Sequence, residues 1–89
     1  MLNRYNRGVQ MTYPITNQRD LRRAFWQEMD EVMRQPGNRM NITRRRITNY
    51  AGTGKMHNTD TRCAWCDYVD AMSRDNQISQ ELAQRATLD

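Results

Sequence analysis

The chain has 89 residues, a hydrophobic fraction of 37%, a mean hydropathy of −1.06 and a formal charge of +4. This length limits it to one small domain with a small core, and the composition is polar for a globular protein. No apolar run approaches the roughly 20 residues that span a bilayer, so we expect a cytoplasmic protein without a membrane partner. Two cysteines are too few for a disulfide framework, which fits a reducing compartment.

The charge is distributed unevenly along the chain. Of the 14 basic residues, 13 are arginine, and residues 1–46 carry a local charge of +6 against −2 for residues 47–89. Arginine presents a planar, permanently charged fork to phosphate or carboxylate, whereas lysine would serve equally well for solubility. The arginine bias therefore indicates a recognition surface in the first half of the chain.

The chain is expected to begin with a flexible basic arm over residues 1–13, followed by one helical domain over 14–89. The first helix of that domain is predicted over about 17–34, with Asn17 as its N-cap. Apolar residues recur there with the spacing of one helix face, at Leu21, Phe25 and Met29. A proline and a glycine then end the pattern.

Residues 38–58 support two interpretations. One is a short helix over 42–51, capped by Asn41 and ended by Gly52, and the other is an irregular or extended basic loop. We favour the helix, because a structureless connection of this length is unusual inside a compact domain.

Two further helices are predicted, over about 60–74 and 79–88. Trp65 and Val69 recur on one face of the first, and Ser79 is a suitable cap for the second. No stretch of the sequence shows a convincing strand pattern. The predicted fold class is therefore all-α, a small bundle of three short helices, or of four if 42–51 is helical.

Cys63 and Cys66 form a CxxC pair near the start of the predicted helix over 60–74. Thiol–disulfide oxidoreductases carry such a pair at a helix start after a strand, and the surrounding sequence predicts no βαβ unit. A structural zinc site needs four ligands, whereas His57 and the two cysteines supply three. A small zinc-stabilised domain is therefore an alternative. We favour half-buried cysteines that pack as small hydrophobes, an exposed His57 in a loop, and no cofactor.

The strongest constellation is a group of arginines in the middle of the chain, supported by residues of the first helix. Its members are Arg39, Arg44, Arg45, Arg46, Arg22, Arg23 and Trp26. We predict that they form a partner-binding surface, since arginine is an enriched anchor at protein interfaces and a ligand of phosphate. The alternative is a solvated basic face without a partner.

Residues 60–88 also allow a helix-turn-helix interpretation, in which the last helix reads DNA. Its projecting residues would be Gln80, Gln84, Arg85 and Thr87. The negative charge of this half of the chain opposes entry into a groove lined by phosphates. DNA or RNA binding is therefore kept as an alternative function that uses the same arginine group.

Two stretches, DTRCAWCDYVDAMSRDNQISQELAQRATL at 60–88 and NQRDLRRAFW at 17–26, carry a resemblance to known sequences. They are similar to the tail and the opening helix of short, uncharacterised open reading frames of bacteriophages and plasmids. The Arg-rich residues 38–56 and Cys66 depart from that pattern. The resemblance covers a little under half of the chain and transfers no site residues, because no activity is attached to the group.

The resemblance implies an accessory protein, a class that commonly binds and blocks host machinery. We therefore expect a non-enzymatic protein of phage or mobile-element origin that uses the arginine group to occlude a host protein or nucleoprotein complex. A host defence complex would be a suitable target. The small core also leaves room for a homodimer, in which a second copy covers spare apolar side chains.

Overall fold

The computed structural model describes residues 12–88, so almost all of the arm predicted over 1–13 lies outside the described residues. Three helices and a two-stranded antiparallel sheet follow one another along the chain. They are α1 (Gln18–Arg34), β1 (Arg46–Thr48), β2 (Lys55–His57), α2 (Thr59–Arg74) and α3 (Gln80–Arg85). The fold is mostly helical, and the all-α class is correct only in this coarser sense. Within residues 12–88, no helix combines the length and apolarity needed to cross a membrane.

The three predicted helices are present, and each begins at a side-chain cap. The side chain of Asn17 accepts the backbone N–H of Asp20 at 2.8 Å, and Asn58 and Ser79 cap α2 and α3 in the same way. These bonds satisfy N–H groups that have no partner inside the helix. α3 is shorter than predicted, because the chain becomes extended at Ala86.

The predicted helix over 42–51 is wrong, and this part of the chain is a β-hairpin preceded by a segment without regular secondary structure. β1 and β2 pair in the register Arg46↔His57, Ile47↔Met56 and Thr48↔Lys55. Asn49 closes the connection, since its N–H donates to Gly54 O at 2.9 Å and its Oδ1 accepts the N–H of Thr53 at 3.0 Å. Gly52 supplies the left-handed backbone of the turn, with φ of +71°.

The core is formed by residues of all three helices, by Ile42 in the segment before the hairpin and by Ile78 in the connection between α2 and α3. Its buried side chains are Leu21, Phe25, Met29, Ile42, Ala64, Trp65, Val69, Ile78 and Leu82. Phe25 lies at the centre, with its ring perpendicular to that of Trp65 at a centroid distance of 5.2 Å. The rings of Trp26 and Tyr68 also meet it edge-on. Each such pair contributes about 0.5–1.5 kcal/mol beyond area burial.

Residues 41–43, which we call the anchor segment, are bonded to the first turn of α2. Thr43 N–H donates to Thr61 Oγ1 at 3.0 Å, and the Thr61 hydroxyl donates back to Thr43 O at 3.4 Å. Asn41 exchanges similar bonds with the side chains that begin α2, donating to Asp60 Oδ2 and accepting from Asn58 Nδ2, both at 2.8 Å. Because its polar backbone groups are bonded in this way, the anchor segment can place Ile42 in the core without being helical.

We predict that Thr61→Val destabilises the protein by about 1–3 kcal/mol, because it leaves the Thr43 N–H without its acceptor in a partly buried site. Urea unfolding followed by circular dichroism measures the change. The matched control is Thr59→Val, which makes the same substitution at an exposed position of α2. Equal stability losses in the two variants would contradict a specific role for the Thr43–Thr61 bonds.

Candidate functional site

The structure divides the predicted partner-binding residues into two groups. Arg22, Trp26 and Arg44 make contacts within the fold. The other four side chains belong to exposed residues, and these are Arg23, Arg39, Arg45 and Arg46. Three of the seven predicted residues therefore hold elements of the fold together, and one of these three, Arg44, still keeps 59% of its side chain exposed.

Arg44 connects the base of the hairpin to α1. Its guanidinium makes a bidentate contact with Asp30, with N–O distances of 3.0 and 3.2 Å. The same group lies over the Trp26 ring, 4.8 Å from its centroid, and the Trp26 ring contacts that of His57 on β2 at 5.8 Å. α1 therefore holds the hairpin from both sides, through a residue shortly before β1 and through the last residue of β2.

The Asp30–Arg44 pair shifts the titration of both groups. The hydrogen bond from Arg44 lowers the pKa of the Asp30 carboxyl below its ordinary value, and the same bond raises the pKa of the Arg44 guanidinium. A lowered carboxyl pKa means that the pair stabilises the fold above the pKa of unfolded Asp30. That stabilisation is lost as the pH falls through the folded pKa.

Arg22 holds the end of the chain against α1. Its Nε donates to Thr87 O at 2.7 Å, and its Nη2 donates to Gln18 Oε1 at 2.8 Å. The Thr87 N–H donates to the same Gln18 oxygen at 3.1 Å. These contacts involve the backbone of Thr87, which lies beyond α3 and so not on the helix that the helix-turn-helix interpretation assigned to DNA. They also show that Arg22 has a structural role.

Arg22, Trp26 and Asp30 are spaced by four residues and therefore form a second stripe on α1, beside the core stripe. Sequence reasoning assigned Trp26 to the partner-binding group, and in the structure this side chain is half-buried. It did not connect the three positions. The spacing alone contains a signal, since an arginine, a tryptophan and an aspartate one turn apart can bind elements that pack beside the core.

His57 and the two cysteines do not come together. His57 is only 5% exposed, which corrects its assignment to an exposed loop, and both cysteines are exposed rather than half-buried. Across residues 12–88, no three side chains of His, Cys, Asp or Glu are placed to share a metal ion. The zinc-stabilised alternative therefore has no geometric support in the described part of the chain.

The exposed part of the hairpin is basic and carries an aromatic side chain at its connection. We define the hairpin surface as Arg45, Arg46, Tyr50 and Lys55. Tyr50 is 96% exposed, and the pairing register places Arg46 and Lys55 on the same face of the ribbon. Sequence reasoning missed Tyr50 and Lys55, although the absence of Asp and Glu from residues 38–59 was a usable signal.

We predict that Arg44→Ala raises the pKa of the Asp30 carboxyl toward its ordinary value, because the hydrogen bond that lowers it is removed. A carboxyl ¹³C NMR titration measures the shift. Arg45→Ala is the matched control, since it removes the same charge one residue away from the bidentate contact. The proposed cause is wrong if the two variants move the Asp30 pKa equally.

The stability difference between wild type and Arg44→Ala should also shrink as the pH falls through the titration of Asp30, because a protonated carboxyl no longer forms the ion pair. Denaturation curves at several acidic pH values test this dependence.

Comparison with known proteins leaves this site without a relative. Neither a protein-family model, nor a curated protein, nor a solved structure matches the chain.

Proposed function

We propose that the protein is a non-enzymatic binding protein whose hairpin surface contacts the phosphate backbone of nucleic acid. The observation that supports this most directly is the charge of residues 38–59, which contain five basic residues and no Asp or Glu. The structure presents this stretch as a segment without regular secondary structure and a hairpin with exposed basic side chains. A polyanion can approach such a ribbon without meeting a carboxylate from the same stretch.

Arg44 and the other basic residues of this stretch contribute differently to the binding of phosphate. The charge of Arg44 is offset by Asp30 at contact distance, so Arg44 adds little to the positive electrostatic potential that an approaching nucleic acid meets. Arg39, Arg45 and Lys55 are exposed, and each can displace a counterion from a phosphate. A single charge pair at contact distance in water is worth only about 1 kcal/mol. Affinity must therefore come from several phosphate contacts and from the release of their counterions.

Tyr50 favours a single strand over a duplex as the ligand. Its ring is almost fully exposed at the connection between the strands, where an unpaired base could stack on it. Stacking on an aromatic side chain is worth about 1–3 kcal/mol per base and is available only when the base has left its helical stack. Basic side chains beside an exposed aromatic ring are the usual composition of a surface that binds single strands without sequence preference.

We predict that Arg45→Gln combined with Lys55→Gln weakens binding to a single-stranded oligonucleotide and reduces its salt dependence. The slope of log K against log salt should fall by about 0.7 for each phosphate that the variant no longer neutralises. Fluorescence anisotropy over a range of salt concentrations measures both quantities. Arg74→Gln combined with Arg85→Gln is the matched control, because it removes equal charge from the ends of α2 and α3.

Tyr50→Ala should weaken single-strand binding with little change in salt slope, and Tyr50→Phe should retain it, because stacking needs the ring and not the hydroxyl. Equal weakening by the control pair and the hairpin pair would show that net charge alone is responsible. No binding at low salt would exclude the proposed function.

A protein partner is the second candidate, and a different feature of the hairpin favours it. Ile47 and Met56 are paired across the ribbon on the face opposite Arg46 and Lys55, and Ile47 is 47% exposed. Exposed apolar side chains that lie together can mark a protein–protein interaction site. In this form the protein would be a phage or mobile-element accessory protein that occludes a cytoplasmic host protein or nucleoprotein complex, as the resemblance implies.

If a protein partner binds this face, tagged wild type should retain one stoichiometric host protein after nuclease treatment of a bacterial lysate. The variant that combines Ile47→Ser with Tyr50→Ser should lose that protein, because it removes the two large, exposed hydrophobic side chains of the hairpin. Met33→Ser is the control, since it replaces an exposed apolar side chain on α1. Quantitative mass spectrometry gives the ratio of host protein captured by the double variant to that captured by wild type. Undiminished capture by the double variant would rule out this face as the protein-binding surface.

A further inference from the structure

Cys63 and Cys66 form an exposed pair outside both the core and the hairpin surface. They lie one turn apart on α2, and both thiols are free. Together with Thr59, Arg62 and Asp67, they line a shallow cavity of about 270 Å³. Packing does not account for them, because neither cysteine belongs to the hydrophobic core or to the partly buried side chains around it.

The helix geometry disfavours a disulfide between these two residues. α2 is helical from Thr59 to Arg74, and Cβ atoms three residues apart on a helix are about 5–6 Å from each other. A disulfide requires a Cβ–Cβ distance of about 3.5–4.5 Å. Closing the bond would therefore distort the helix, and the pair is expected to persist as two thiols on residues that line one cavity.

Two thiols without further ligands suit a particular class of metal ion. Zinc takes four ligands in structural sites and three in catalytic sites, and residues 12–88 contain no cluster of three or more candidate ligands. Soft monovalent ions such as Cu(I) prefer thiolate sulfur and are satisfied by two sulfur ligands in a nearly linear arrangement. A Cβ–Cβ spacing that is too wide for a disulfide leaves room for an ion between the two side chains.

We propose that Cys63 and Cys66 bind one Cu(I) ion as a bis-thiolate on the surface of α2. Each thiol gives up its proton to solvent when it coordinates the ion, so the complex of one monovalent cation with two thiolates carries a net charge of −1. Arg62 lines the same cavity, and its Nε is bonded to His57 O at 3.2 Å. Its guanidinium is thereby held beside the site, where its positive charge offsets that of the complex.

The test is a titration of the reduced full-length protein with Cu(I) held by a colorimetric chelator under anaerobic conditions. We expect each chain to remove one Cu(I) from the chelator and, as it does so, to release the protons of both thiols. Cys63→Ser and Cys66→Ser should each lower the affinity by at least about 100-fold, because the second thiolate binds as part of a chelate. Asp67→Asn is the control within the same cavity and should leave the affinity unchanged, since a hard oxygen is a poor ligand for Cu(I).

Circular dichroism should show that the serine variants keep the fold, since both positions are exposed. Retention of Cu(I) by either serine variant at wild-type affinity would overturn the proposal. A stoichiometry of one ion per two chains would also overturn it, because it would mean that cysteines of different copies share the ion. These outcomes are independent of nucleic-acid binding, which involves the hairpin surface and not α2.

Discussion

The attachment of the anchor segment to α2 is the constraint on which the rest of the structure depends. Thr61 is fully buried, so its hydroxyl must find partners inside the protein, and it finds both polar groups of the Thr43 backbone. This pairing lets the chain cross the start of α2 with Ile42 in the core. It thereby fixes where the chain leaves the core, and so where Arg44 meets Trp26 and Asp30.

Part of the arginine bias serves the fold itself. Arg44 binds a carboxylate with two nitrogens while its flat face covers an indole ring, and Arg22 reaches two acceptors in different elements from one planar group. A lysine ammonium lacks the planar face that covers the indole ring and the rigid fork that reaches two acceptors at fixed positions. In a chain with a small core, such contacts bind segments that apolar burial alone does not hold.

The helices could be predicted from the sequence because their signals are local. Asn17 and Ser79 cap residues three positions away, and the stripe of Leu21, Phe25 and Met29 repeats every turn. The hairpin could not be predicted, because strands of three residues are too short to show an alternation of apolar and polar residues. Nor could the structural contacts of Arg44 and Arg22 be predicted. Their partners lie 14 and 65 residues away in the sequence, and only the folded chain brings these groups together.

Arg44 and the proposed binding surface are physically linked. A two-stranded hairpin is marginally stable by itself, so its order depends on what holds its base. Here the base is held by Arg44 against Asp30 and by His57 against Trp26. A surface ordered before binding loses less conformational entropy when a ligand arrives. The ion pair of Arg44 with Asp30, in which the Arg44 side chain remains 59% exposed, therefore helps to keep Arg45, Tyr50 and Lys55 in a fixed arrangement.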